Sequence, residues 1–300
     1  MRVTFNSFYN TLTTRLGSLN DQQQKSLQQL STGQKLTLPS DDPTAMQRVL
    51  EQRTAKAQTN QYWQNASDVT AISKSSTNDL TQLQSVFGRV SELTTSGSSD
   101  LTDATSMHAY ASETDQLLEQ ALTQANAKYG DKFTHGGTAT NTPPFVAVRD
   151  AVTNQITSVS YVGNATDATV RISDSSTVAP YTSGAENTNI RDLLNNMVSL
   201  RDNLQAGNAA GVRALTPAQG TIEDNLLSSI SRGGSVQYRL QISQTQDSQN
   251  FLADEALISR DADSDFAAAT VQLNRAQTAY SAAVQSGAKI ANISLLDYIH

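Results

Sequence analysis

Leu12, Leu16 and Leu19 are spaced by four and three residues on an otherwise polar stretch; Gln23 takes the next position, and Leu27 and Leu30 follow. This spacing predicts a helix with a narrow, heptad-like apolar stripe. The far end of the chain repeats the pattern. Phe266, Leu273 and Tyr280 are seven apart, Val284 and Ala291 are seven apart, and Leu295 and Ile299 continue the stripe. Between them "AAATVQLNRAQTAYSAAVQ" supplies alanine and other good helix formers. Neither stripe has a globular partner close by in sequence, so the simplest burial is against the other stripe or against copies in neighbouring chains. The assembly interface is assigned to Leu12, Leu16, Leu19, Leu30, Phe266, Leu273, Tyr280, Val284 and Leu295. Stripes this narrow bury little surface in isolation, so residues 1 to about 36 and about 262 to 300 are expected to be mobile in the free chain.

The first helix stops at "LSTGQKLTLPSDDPTA". Gly33 is placed to close it in the left-handed conformation. "QKLTL" reads as an extended connector, and Pro39 biases Leu38 away from helix. Asp42 before Pro43 restarts a helix, with a capping side chain followed by proline at the first helical position. Gly33, Pro39, Asp42 and Pro43 thus form a joint between a terminal helix and a second helical layer.

That layer begins at Pro43. Val69, Leu83 and Val90 share a seven-residue grid, with Ile72, Val86 and Leu93 beside it and Leu80 and Phe87 broadening it; the helix ends near Ser96–Gly97. A further helix covers about Asp103 to Lys128, with Met107, Tyr110, Leu117, Leu118, Ala121, Leu122 and Ala125 inward. Helices return from about Asn189, with Leu193, Leu194, Met197, Leu200 and Leu204, and again from Pro217 to beyond Leu257, where "RGGSVQYRL" marks a loosening. In between, β-branched and aromatic residues alternate, and "ITSVSYVGNATDATVRI" predicts a hairpin about "GNATDA". The expected fold is mainly α: an elongated rod of long antiparallel helices or coiled coil from both chain ends, with a small inserted β domain. The expected domains are a terminal helical assembly layer (1–38 with 258–300), a helical rod domain (39–137 with 186–257) and the β insertion (138–185).

Charge and composition narrow the function. The net charge is −7 and only 16% of residues are charged, so polarity comes from Gln, Asn, Ser and Thr. Nucleic-acid binding needs clustered Lys and Arg and is disfavoured. There is no cysteine, which excludes disulfides and thiolate chemistry. The N-terminus lacks the apolar segment of a secretory signal, and no run reaches the length of a membrane span. A cytosolic protein, or one exported without a cleaved signal, is expected.

No catalytic constellation stands out. "DADSDF" (Asp261 to Phe266) resembles the start of an EF-hand loop, but Phe266 and Gln272 occupy the positions that need Gly and Glu; these aspartates read better as helix caps. His108, His135 and His300 share no ligand-like spacing. Asn65, Asn164 and Asn292 begin N-x-S/T triplets, which matter only in a eukaryotic secretory route. The chain is expected to be no enzyme and to need no cofactor or metal.

"LSTGQKLTLPSDDPTA" closely resembles the N-terminal signature of the bacterial flagellin family, and the Pro39-to-Pro43 form resembles its hook-associated branch. "KYGDKFTHGGTATNTPPF" (Lys128 to Phe145) is similar to the segment by which that branch enters its β domain. "ISRDADSDFAAATVQLNRAQTAYSAAVQSGAKIANISLLDYI" resembles the shared C-terminal helix, ending in Ser294 to Leu296. His135 departs from the branch, which has a small or apolar residue there. The resemblance implies a rod-like structural subunit of the flagellum, exported through the flagellum's own type III apparatus with a chaperone. It implies an extracellular ring at the hook–filament junction, between hook-associated protein 1 and the filament, in contact with flagellin or copies of itself. A short filament flagellin is the alternative. A flagellin-like surface protein whose β insertion binds a polysaccharide or host receptor is another. "GRVSEL" (Gly88 to Leu93) resembles the flagellin stretch that animal innate immune receptors bind. Arg89 and Leu93 match and Glu113 lies at a similar distance, whereas Ser96 and Ser99 depart; an ordinary helix surface is the plainer reading.

Overall fold

The computed structural model describes residues 2–182 and 184–298, with side chains described for residues 7–289 apart from 183 and 185. The described residues form seven helices and six short strands. Contacts divide them into two units, Met1–Gln58 with Asn250–His300, and Thr59–Gln249.

The first unit is built on α1 (Arg2–Thr32) and α7 (Phe266–Tyr298), which pack against each other. Leu12 lies beside Gly287 and Gly33 beside Phe266, so the pair is antiparallel. The termini, expected to be mobile in the free chain, are therefore paired within it. What holds them is a seam of unequal side chains. Leu12, Leu16, Leu19, Gln23 and Leu30 are half-buried on α1, and Ser26 is 2% exposed. Opposite them α7 presents the buried Ala269, Ala276 and Gly287, with Leu273 and Ala283 half-buried. Leucines on one helix thus pack onto small residues of the other. A Cβ at Gly287 would stand 2.7 Å from Leu12 Cδ2, so glycine there sets how closely the two helices approach.

The turn after α1 is held by the backbone. Gly33 has φ 71°, its N–H donates to Gln29 O at 2.9 Å, and its carbonyl accepts from Ser264 N at 2.8 Å. Gln34 and Asp263 form an antiparallel bridge. Leu38 to Asp41 close a turn, with Asp41 N donating to Leu38 O at 3.0 Å and Pro39 at its second position. Asp41 accepts from Thr37 N, Leu38 N and Lys25 Nζ, and the Lys25 contact followed by these amides holds its carboxyl well below the usual range. Asp42 Oδ1 accepts from Ala45 N at 2.9 Å, capping α2 (Pro43–Gly97). Leu36, Ala45, Val49 and Ala262 make a small core under this turn. Replacing Gly33 by Val should lower the stability of this unit by about 1–2 kcal/mol, because the left-handed conformation is strained for a β-branched residue. Space is not the obstacle, since the nearest atom to an added Cβ is Phe266 Cζ at 3.7 Å. Thermal unfolding followed by circular dichroism checks this, and Gly33→Asn, which tolerates that conformation, should lose much less.

The second unit is packed from α2, α3 (Ala104–Ala125), α4 (Gly184–Gln205), α5 (Ala209–Ala214) and α6 (Thr216–Ala262); α2 and α6 each supply residues to both units. Asp103 caps α3, accepting from Ser106 N. The core joins Leu83, Phe87 and Val90 of α2 and Leu118 of α3 to Leu193, Leu194, Met197 and Leu200 of α4. The glycines of "RGGSVQYRL" do not loosen α6, which runs through them. Gly233 lies where a Cβ would meet Thr77 Oγ1 at 2.4 Å, so it serves close packing on α2.

The strands form three separate two-stranded antiparallel ribbons: β1 (Lys128–Tyr129) with β2 (Lys132–Phe133), β3 (Phe145–Arg149) with β4 (Ile156–Tyr161), and β5 (Val170–Arg171) with β6 (Thr177–Val178). The hairpin expected about "GNATDA" does not form, because β4 pairs back onto β3. Its register matches Phe145 with Tyr161 and Ala147 with Val159, which sends Phe145, Ile156 and Val159 into the helical core. Asn164 then ties the expected turn elsewhere, its Oδ1 accepting from Thr138 N at 2.9 Å.

Many hydroxyls on the helix surfaces turn onto their own backbone. Thr11, Thr13, Thr14, Thr54, Thr81, Thr95 and Thr123 each donate to the carbonyl four residues earlier, at 2.8–2.9 Å.

Candidate functional site

The residues assigned to assembly divide by exposure. Leu12, Leu16, Leu19, Leu30 and Leu273 turn toward the α1–α7 seam. Phe266, Tyr280 and Val284 remain 56%, 38% and 44% exposed. They share that condition with Val271 on α7 and with Phe8, Tyr9 and Leu27 on α1. Leu27 leaves the stripe because Ser26 takes the seam position. The side chain of Leu295 lies outside the described residues. The structure thus brings the α1 leucines and Leu273 together inside one chain, and leaves a second set of apolar side chains on the outer faces of the same helices.

The small seam residues Ser26, Ala269, Ala276 and Gly287 escape a search for large apolar positions. Their signal is phase. Stepping by four and three from Leu12 leads to Ser26, and the same steps back from Gly287 lead to Ala276 and Ala269.

Arg89 and Glu113 meet on the surface of the second unit. Arg89 Nε and Nη2 donate to the two Glu113 oxygens at 2.6 and 3.2 Å, and Nη1 donates to Glu92 at 2.7 Å. The Glu113 contact chiefly, and Glu92 after it, raises the guanidinium pKa; Arg89 in turn lowers that of Glu113. Leu93, grouped with them as a candidate receptor-like surface, is 2% exposed. It is a core residue, and only Arg89 and Glu113 of that group face solvent.

The aspartates of "DADSDF" have structural partners. Asp261 accepts from Arg48 Nε at 2.9 Å, Asp263 accepts from Ser259, and Asp265 caps α7 by accepting from Ala267 N and Ala268 N. Among the described residues no group of three or more His, Asp or Glu side chains is placed to hold a metal ion, and no helix is long and apolar enough to cross a membrane.

Residues 3–133, which hold α1, the left-handed glycine turn and the capped restart of α2, match the family described as the bacterial flagellin N-terminal helical region. Over that stretch the chain is similar to the flagellin family. Its fold is that of hook-associated flagellar proteins. A hook-associated protein from Vibrio parahaemolyticus superposes with a TM-score of 0.64 at 17% identity, covering 74% of this chain and 100% of the other. FlgL from Bacillus cereus gives 0.58 at 17% identity, covering 68% and 97%. FlgL from Xanthomonas campestris gives 0.57 at 13% identity, covering 69% and 99%. No curated protein matches the chain.

Proposed function

We propose that the chain is a structural subunit of the bacterial flagellum that joins hook-associated protein 1 to the filament at the hook–filament junction. The observation that carries this reading is the two-sided use of the terminal helices. Their inner stripe closes the chain on itself, while Phe266, Val271, Tyr280 and Val284 stay exposed on α7. A row of exposed apolar side chains on a paired helix suits packing against further helices in an assembly. In this reading copies form a ring, residues 1–38 with 258–300 are the assembly layer, and the subunit is a building block rather than an enzyme. It leaves the cell through the flagellar export apparatus, with a chaperone and without a cleaved signal.

A strain lacking the gene tests the reading. Hooks should remain on the cells while filament protein accumulates in the medium. Filaments of normal length on the deletion strain would overturn the junction role, and loss of the filament protein itself would point to a filament flagellin.

A further inference from the structure

His135 is fully buried, and its hydrogen-bond polarity is fixed from a distance. The chain of donors begins at Asn164 O, a carbonyl that can only accept. Tyr161 Oη donates to it at 2.9 Å, so Tyr161 has no second proton to give. Asn187 Nδ2, 2.9 Å away, must therefore donate to Tyr161 Oη. It also donates to Thr182 O at 3.3 Å. That orientation turns Asn187 Oδ1 to the Thr182 hydroxyl, 2.6 Å away, where it accepts the single Thr182 proton. Thr182 Oγ1 can then only accept from His135 Nδ1, at 2.9 Å. A neutral His135 carries its proton on Nδ1, and Nε2 is a bare lone pair.

That lone pair is buried, has no hydrogen-bond partner among the described residues, and faces Asp79 Oδ2 at 3.9 Å. Asp79 sits on α2, 7% exposed. Gln124 of α3 donates to its Oδ1 at 2.7 Å and Thr134 to its Oδ2 at 3.2 Å. An ionised carboxylate facing a lone pair in a buried site sets two acceptors against each other. A proton on Oδ2 removes the conflict, and Thr134 can then donate to Ala127 O, also at 3.2 Å.

We propose that the facing Asp79 and His135 hold one buried proton between them, carried by the Asp79 carboxyl while His135 Nε2 stays bare, and that this neutral pair lets the segment after β2 pack onto α2 and α3. The direction of the pKa shifts agrees with this geometry. Desolvation pushes Asp79 up to about 6 and pulls His135 down to about 4. Among the described residues no cation faces the pair in place of the proton. α3 presents the neutral Gln124, and Glu186 of α4 is paired with Arg232 of α6 at 3.3 Å. Lys128, Asp131 and Lys132 of the β1–β2 ribbon are exposed.

The signs of the two shifts oppose. Asp79 binds its proton more tightly folded than unfolded, so its contribution to stability falls as pH rises from about 4 through about 6. His135 binds its proton less tightly folded, so its contribution falls as pH drops from about 6.5 toward about 4. The pair is nearly silent in the parent chain, and a variant at one position exposes it. Asp79→Asn sets an uncharged group opposite the lone pair at every pH. Its melting temperature should match the parent's near pH 4 and exceed it by a few degrees near pH 7, with the gap opening between about pH 4 and 6. A gap independent of pH, or a less stable variant near pH 7, would overturn the proposal. A second measurement uses the unaltered full chain. Long-range proton–nitrogen spectra of His135 near pH 5 should show Nδ1 protonated and Nε2 bare. A doubly protonated ring at that pH would place the proton on histidine and refute the assignment.

Discussion

A Leu273→Asp chain is expected to lose junction formation and swimming while the melting transition of its Thr59–Gln249 unit stays within about 2 °C of the parent's. Leu273 lies half-buried between Ala269 and Ala276, each 3% exposed. The register set by Leu12 beside Gly287 and Gly33 beside Phe266 brings it to the level of Ser26. Removing a leucine of this kind forfeits up to about 1.5–3 kcal/mol, and a carboxylate in the seam adds a desolvation cost that no partner there offsets. Because α1 and α7 pair within the chain, the loss falls on the first unit, which should melt earlier. A calorimetric scan beside a complementation swim assay makes the measurement. Equal loss from both units would show that they unfold as one, and full motility would sink the assembly role of the seam.

The second large effect is expected in the other unit. Leu118→Ala and Leu194→Ala each delete a side chain with no exposed surface. α3 and α4 pack on each other and on the helices and strands around them, so the surroundings cannot close over the hole. Each substitution should cost about 2–5 kcal/mol in urea unfolding. The pair together should cost less than the two costs added, because the residues belong to one contact cluster. A loss under about 1 kcal/mol for either would mean the core relaxes into the space.

The helical core was legible because large residues recur at helical spacing. Leu83, Val90, Leu93, Leu118, Leu194, Met197 and Leu200 are all predicted inward and all buried. The terminal seam was only half legible. Reading for bulk carries the α7 stripe from Tyr280 to Val284, whereas the paired face passes through Ala283 and Gly287. Small residues are selected there by the approach of another helix, which no local pattern announces. The strands failed for a related reason. The alternation in Ile156–Tyr161 suits a partner on either side, and long-range contacts through Asn164 and the helical core decide for β3. His135 stood out in the sequence only as a departure. Its tautomer depends on a chain of four groups drawn from residues 161 to 187, and it becomes readable only when those groups are brought together.

The threonines that donate to their own helix carry a consequence for the medium in which the chain works. With 16% of residues charged, much of the polar surface is neutral, and part of that surface already has its proton engaged by a carbonyl one turn back. Dissolved salt acts on charges. Raising it from 0.1 M to 1 M shortens the screening distance from ~10 Å to ~3 Å, which weakens exposed ion pairs such as Arg213–Asp100, each worth about 0–1 kcal/mol. A hydroxyl bonded to its own backbone has no charge to screen. The helices should therefore hold equally well in fresh water and in brine, a tolerance suited to the extracellular place proposed for the chain.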